Sequence, residues 1–154
     1  MTSCSTPGQR LARGTCRHLH SLDFRTLTEF VPTRRLRVDI MAVGTKGEIW
    51  IIECKSSLAD FRADHKWMGY LDWCDRFFWA VDADFPRHQL PGDTGVILCD
   101  AFDGEILLMG ARTELNAARR KKLILKFGRD SAARLSAFTD PAVSSRFSGI
   151  LPAP

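Results

Sequence analysis

No stretch of this chain approaches the roughly 18 consecutive apolar residues of a membrane-spanning helix. The N-terminus lacks the basic, apolar and small-residue succession of a secretion signal. These absences predict a soluble, cytoplasmic protein. There is no glycine-rich phosphate loop and no Gly-x-Ser-x-Gly, so P-loop nucleotide hydrolysis and serine-hydrolase chemistry find no support. His18, His20, His65 and His88 form no metal-ligand pair on a helix face, 18 and 20 being two apart. The cysteines, Cys4, Cys16, Cys54, Cys74 and Cys99, are odd in number, with no Cys-x-x-Cys and no zinc-like spacing. Reduced thiols in a cytosolic compartment are the expectation. Internal repeats and low-complexity tracts are also missing.

The 154 residues suit one domain with a single core. The expected organisation is a disordered N-terminus over 1–7, a domain over 8–141 and a loose tail over 142–154. Net charge is only +4, but it is unevenly spread: the segment 112–134 holds eight Lys or Arg against Glu114 and Asp130. Within it, Arg119-Arg120-Lys121-Lys122 is either a phosphate-binding run, attracting nucleic acid without regard to base sequence, or a solvated helix face.

Periodicity orders the elements. Leu11, Cys16, Leu19 and Leu22 recur at near-helical intervals and suggest a helix over 8–22. A strand over 24–31 ends at Pro32. Two hydrophobic runs, Leu36 to Val43 and Ile49 to Lys55, flank a turn at Gly44-Thr45-Lys46-Gly47. Ser56 or Ser57 can cap a helix reaching about Asp75, with Asp60 in its first turn, where the dipole favours negative charge. Leu58, Phe61, Met68 and Leu71 would be its buried stripe. Lys66, Tyr70 and Trp73 lie on another face, as packing or as the border of a substrate groove, with Lys66 a candidate phosphate contact. Short strands follow at Arg76 to Val81, Gly95 to Cys99 and 105–109, with a proline-marked loop over 82–93. A last helix starts at Thr113 or Asn116 and is closed by Pro141, with Leu123, Leu125, Phe127, Leu135 and Phe138 as its apolar contacts.

The chemistry concentrates in the turn-linked pair of runs. Taking Thr45-Lys46-Gly47 as a three-residue loop with Gly47 in the left-handed position, residue 44 faces 48 and Asp39 faces Glu53. The period of two puts Lys55 on the same face, roughly 6.6 Å further along. Two carboxylates about 4 Å apart repel by about 4 kcal/mol at an effective dielectric near ~20. A hard divalent cation removes that penalty, and magnesium favours one or two carboxylates with retained waters and phosphate oxygens. Lys55 would then position or polarise the attacking water and stabilise charge on the phosphate. Glu29 shares a strand face with Arg25 and Leu27 and could project to the same site, or stand as a surface strand residue. The plain alternative for Glu53 and Lys55 is a cross-strand ion pair on a half-solvated face. A nucleophilic role for Cys54 is disfavoured because alternation turns its thiol to the opposite face, with Trp50 and Ile52.

This order of helix, three strands, helix and strand, with Asp39 in the second strand and Glu53-Cys54-Lys55 in the third, resembles the PD-(D/E)XK nuclease core. Longer stretches, Arg37-Val38-Asp39-Ile40, Gly47 through Ser57, Asp60 through Trp67 and Cys74 through Phe78, resemble the MmcB-like DNA-repair family over roughly 9–141. Two departures are Thr33 before Arg34-Arg35, and Val38 rather than proline before Asp39.

The resemblance implies a bacterial repair protein of the DNA-damage response. Its fold would be a restriction-endonuclease-like three-layer α/β sandwich with a central mixed β-sheet flanked by helices. It implies a magnesium or manganese site at Asp39 and Glu53, with the Cys54 carbonyl as an extra ligand. Lys55 would serve the water, Glu29 would assist, and the basic helix face would grip DNA. The alternative is a non-catalytic module that keeps the nuclease fold and binds DNA or recruits other repair proteins.

Overall fold

The computed structural model describes residues 5–143. The outermost residues of the expected N-terminal segment and tail, 1–4 and 144–154, lie outside the described residues. The elements run α1 (Pro7–Ser21), β1 (Arg25–Thr33), β2 (Leu36–Val43), β3 (Ile49–Lys55), α2 (Leu58–Ala63), a 3-10 segment (Trp67–Trp73), β4 (Arg76–Val81), a 3-10 turn (Arg87–Gln89), β5 (Gly95–Cys99), β6 (Gly104–Leu108) and α3 (Ala117–Thr139).

All six strands form one sheet in sequential order. β1, β2 and β3 are antiparallel neighbours, β3, β4 and β5 are parallel, and β6 returns antiparallel. The mixture follows from the connections. Tight turns can only join antiparallel neighbours, whereas β3 to β4 is bridged by α2 and the 3-10 segment, long enough for a crossover. The central strands β3 and β4 are almost wholly buried. Each therefore carries an unbroken apolar run, Ile49 to Ile52 in β3 and Phe77 to Val81 in β4.

Alternation divides the core. Phe30, Met41, Ile51 and Trp79 pack with Tyr70 of the 3-10 segment and with Leu115 and Leu123, just before and within α3. Ile40, Trp50, Ile52 and Phe78 pack on the other face against Leu11 and Leu19 of α1. Helices thus cover both faces, and the three-layer α/β arrangement expected from the sequence is the one observed.

Several local expectations are corrected. The helix expected from Ser56 to Asp75 is broken: Ser57 caps α2 by accepting Asp60 N–H, but the turn ends at Asp64, whose backbone is extended. The chain then winds as a 3-10 segment of three residues per turn. That change of period rotates Met68 and Leu71 out to solvent and buries Tyr70 instead. β1 continues through Pro32, which the sheet tolerates because β1 is an edge strand and its pairing with β2 shifts register between Phe30 and Thr33. Along α3, Leu123 is buried and Phe127 packs against the core, but Leu125, Leu135 and Phe138 face solvent.

Candidate functional site

The β2–β3 hairpin decides where the acids fall. Gly47 adopts φ +81° and its N–H donates to Gly44 O, while Gly44 N–H donates to Glu48 O. Ile40 is opposite Ile52 and Met41 opposite Ile51, so the same register sets Asp39 against Glu53. The two side chains interlock across the strands. Asp39 N–H donates to Glu53 Oε1 at 2.9 Å, and Cys54 N–H donates to Asp39 Oδ2 at 2.8 Å. Each carboxylate thus spends one oxygen on a backbone amide, with no protein hydrogen bond to the other among the described residues.

A cavity of about 520 Å³ opens over the pair. Gln9 and Arg13 from the first turns of α1 wall it on one side, Glu29 on another and Asp60 of α2 on a third. Cys54 also lines it, while its thiol belongs to the α1-side core. Burial pushes the Glu53 carboxyl up to about 8, and the neighbouring Asp39 adds to the rise. Burial raises Asp39 as well, the Cys54 amide pulling the other way.

Lys55 is buried beside them, and its ammonium is held by Asp64 at 2.7 Å. Burial alone would depress the ammonium, but the hydrogen bond and charge of Asp64 outweigh it and leave the group above its usual value. Burial would raise Asp64; the Lys55 hydrogen bond and two amides outweigh that and lower it. Those amides are Lys66 N–H and Trp67 N–H, both donating to Oδ1, so the residue that breaks the helix also anchors the lysine.

Glu29 stands on the cavity rim in the left-handed region, φ +52°, with its carboxylate 3.0 Å from Arg37 Nε. Arg134 of α3 donates to the Thr28 and Glu29 carbonyls and holds this turn of backbone from behind.

The basic residues separate by environment. Arg119 donates to Asp72 O and lies 4.3 Å above the Trp73 ring. Arg120 is committed to structure: both terminal nitrogens bond the Asp75 carboxylate, and further bonds reach Gly47 O and Leu115 O. Lys66, Lys121 and Lys122 are exposed. Tyr70 is packing, its O–H donating to Arg37 O, and the half-buried Trp73 packs against the core with part of its surface. Asp64, Arg13 and Arg37 carry no single-residue signal in the sequence. They gain a place only where separate elements converge.

Among the described residues no three His, Cys, Asp or Glu side chains gather as a metal cage. The donors present are two carboxylates, each with an oxygen to spare, in a place where burial and mutual repulsion oppose double ionisation. That set fits a hard divalent cation that keeps several of its waters.

Comparison with known proteins adds three findings. A family model described as DNA repair protein MmcB-like matches residues 2–142. A solved structure of a protein of unknown function from Silicibacter pomeroyi superposes with a TM-score of 0.89 at 56% identity, covering 91% of this chain and 96% of that one. No curated protein matches.

Proposed function

Since this chain belongs to the MmcB-like family of DNA repair proteins, we propose that its acidic cavity hydrolyses DNA phosphodiester bonds with a divalent cation, in the manner of a PD-(D/E)XK nuclease. The interlocked pair of half-buried Asp39 and buried Glu53 is the observation that carries this reading, because an apolar sheet end gains nothing in stability from two facing carboxyls. Asp39 and Glu53 would hold magnesium or manganese, with the Cys54 carbonyl as a further ligand. Bound there, the ion supplies Lewis-acid polarisation of a phosphate oxygen and an acidified water.

The chain's own residues do the rest. Lys55, fixed by Asp64, directs its ammonium at the water and at charge building on the phosphate. Arg13 and the α1 N-terminus, whose dipole favours anions, draw the phosphate in from the cavity wall. Glu29 assists from the rim once released from Arg37.

The test is cleavage of labelled forked DNA with manganese by wild type, Asp39→Ala and Glu53→Gln, alongside circular dichroism. Folded variants that no longer cut are the expected outcome; unchanged cutting by either removes the assignment.

One observation favours a second reading. Lys55 is sealed into its ion pair with Asp64, the two side chains being 8% and 10% exposed, so the lysine already has a structural partner. A non-catalytic module that binds DNA or recruits other repair proteins would keep this arrangement. DNA bound by wild type without cutting, in either metal, selects it.

A further inference from the structure

A second groove of about 430 Å³ lies between the end of β1 and α3, apart from the acidic cavity. Its cations come from α3 at positions 122, 126 and 129, the i, i+4, i+7 spacing that puts Lys122, Lys126 and Arg129 on one helix stripe. Asp130 is the one acid on the wall, and it pairs with Lys126 at 2.5 Å. Lys122 and Arg129 are exposed and have no protein acceptor among the described residues. Apolar surface fills the space between them. Pro32, the exposed Leu125 and the indole of Trp73, stacked under Arg119, all line the groove. The β1–β2 turn continues from its lip with Arg34 and Arg35, both exposed.

The geometry points to a binding groove for a single DNA strand, with Lys122 and Arg129 on the phosphates and the exposed Leu125 and half-buried Trp73 as the surface for unpaired bases. This rests on the DNA reading above, but not on cleavage. Cations alone would suit any nucleic acid backbone. An apolar and aromatic floor between them suits bases freed from pairing, because every base offers a π-face and a duplex hides it. β1 links the two sites: Glu29 lines the acidic cavity and Pro32, three residues further on, lines the groove. A strand lying in the groove would therefore run toward the acidic pair. The cationic run 119–122 is divided by this geometry. Arg120 serves Asp75, and Lys122 joins the more distant Lys126 and Arg129.

The experiment is fluorescence anisotropy with labelled oligothymidylate and with a duplex of equal length, without divalent cation, across a salt series. The proteins are wild type, the double variant Lys122→Ala with Arg129→Ala, and Arg87→Ala as the loss of an exposed cation outside the groove. Wild type should bind the single strand more tightly than the duplex. The double variant should bind it at least tenfold more weakly. Its slope of log-affinity against log-salt should be shallower by about 1.4, from roughly 0.7 for each phosphate no longer neutralised. Arg87→Ala should bind as wild type. No binding by wild type, an unchanged slope in the double variant, or tighter binding of the duplex overturns the groove. Cleavage of forked DNA with manganese, run separately on wild type and on the Lys122→Ala, Arg129→Ala double variant, scores the acidic cavity apart from the groove.

Discussion

At Asp39 and Glu53 two carboxyl groups share a space that tolerates one charge. Glu53 titrates near about 8 in the folded chain against its ordinary 4.5, chiefly through burial, so the folded state favours the protonated form. A raised folded value means the contribution to stability is complete below about 4.5 and is lost as pH climbs through about 8. Melting temperature of the metal-free protein is expected to fall across that window. Glu53→Gln, which keeps the acceptor for Asp39 N–H, should flatten the fall, and manganese should restore wild type but not the variant at the alkaline end. Differential scanning fluorimetry reads all three. A wild-type profile as flat as the variant's would show that the pair carries no such strain. Asp64 belongs to the same scale. One carboxylate fixes the Lys55 ammonium and receives two amides, which is why a helix that propensity would continue stops there.

Among the elements, α1 reaches the cavity only because it lies very close to the β5–β6 turn. A Cβ at Gly14 would stand 1.9 Å from Asp100 O and 2.8 Å from Asp103 O, both of them backbone. Alanine is the better helix former by about 1 kcal/mol, yet here the helix would have to shift away from the loop. Gly14→Ala is therefore expected to destabilise by about 2 kcal/mol, measured by urea denaturation. An unchanged or raised midpoint would show that α1 is free to adjust. The helix also brings Gln9 and Arg13 to the cavity, so its seating and the shape of the site are linked.

Across the molecule, Asp75 ties the layers together from one buried position. Its carboxylate accepts Ile49 N–H at the start of β3, Leu115 N–H before α3 and both terminal nitrogens of Arg120. Burial alone would raise the group, but the Arg120 and amide bonds outweigh it and hold it at about 2. With the folded value below the ordinary 3.8, its contribution is present above 3.8 and is lost as pH falls through about 2. Arg120→Ala leaves that charge buried and half-satisfied, so a loss of about 3 kcal/mol is expected, with the acid-unfolding midpoint moved to higher pH. Loss of DNA affinity by Arg120→Ala with unchanged stability would instead place Arg120 on the nucleic acid.

β2, β3, β4 and β5 are legible to the residue in the amino-acid order, together with the opposition of Asp39 and Glu53. Those features are local: apolar runs bounded by turn residues, and a hairpin parity fixed by Gly47. The division of helices between the two sheet faces was also legible, through the motifs that resemble the repair family. Other features came from the folded arrangement alone: Asp64 breaking a helix to hold Lys55, Arg37 pairing with Glu29, and Arg120 absorbed by Asp75. The same arrangement set Lys122 and Arg129 beside Trp73 and Pro32. Periodicity reports which face of its own element a residue occupies. Which charge or ring it meets depends on elements up to a hundred residues away along the chain, and packing alone brings those together.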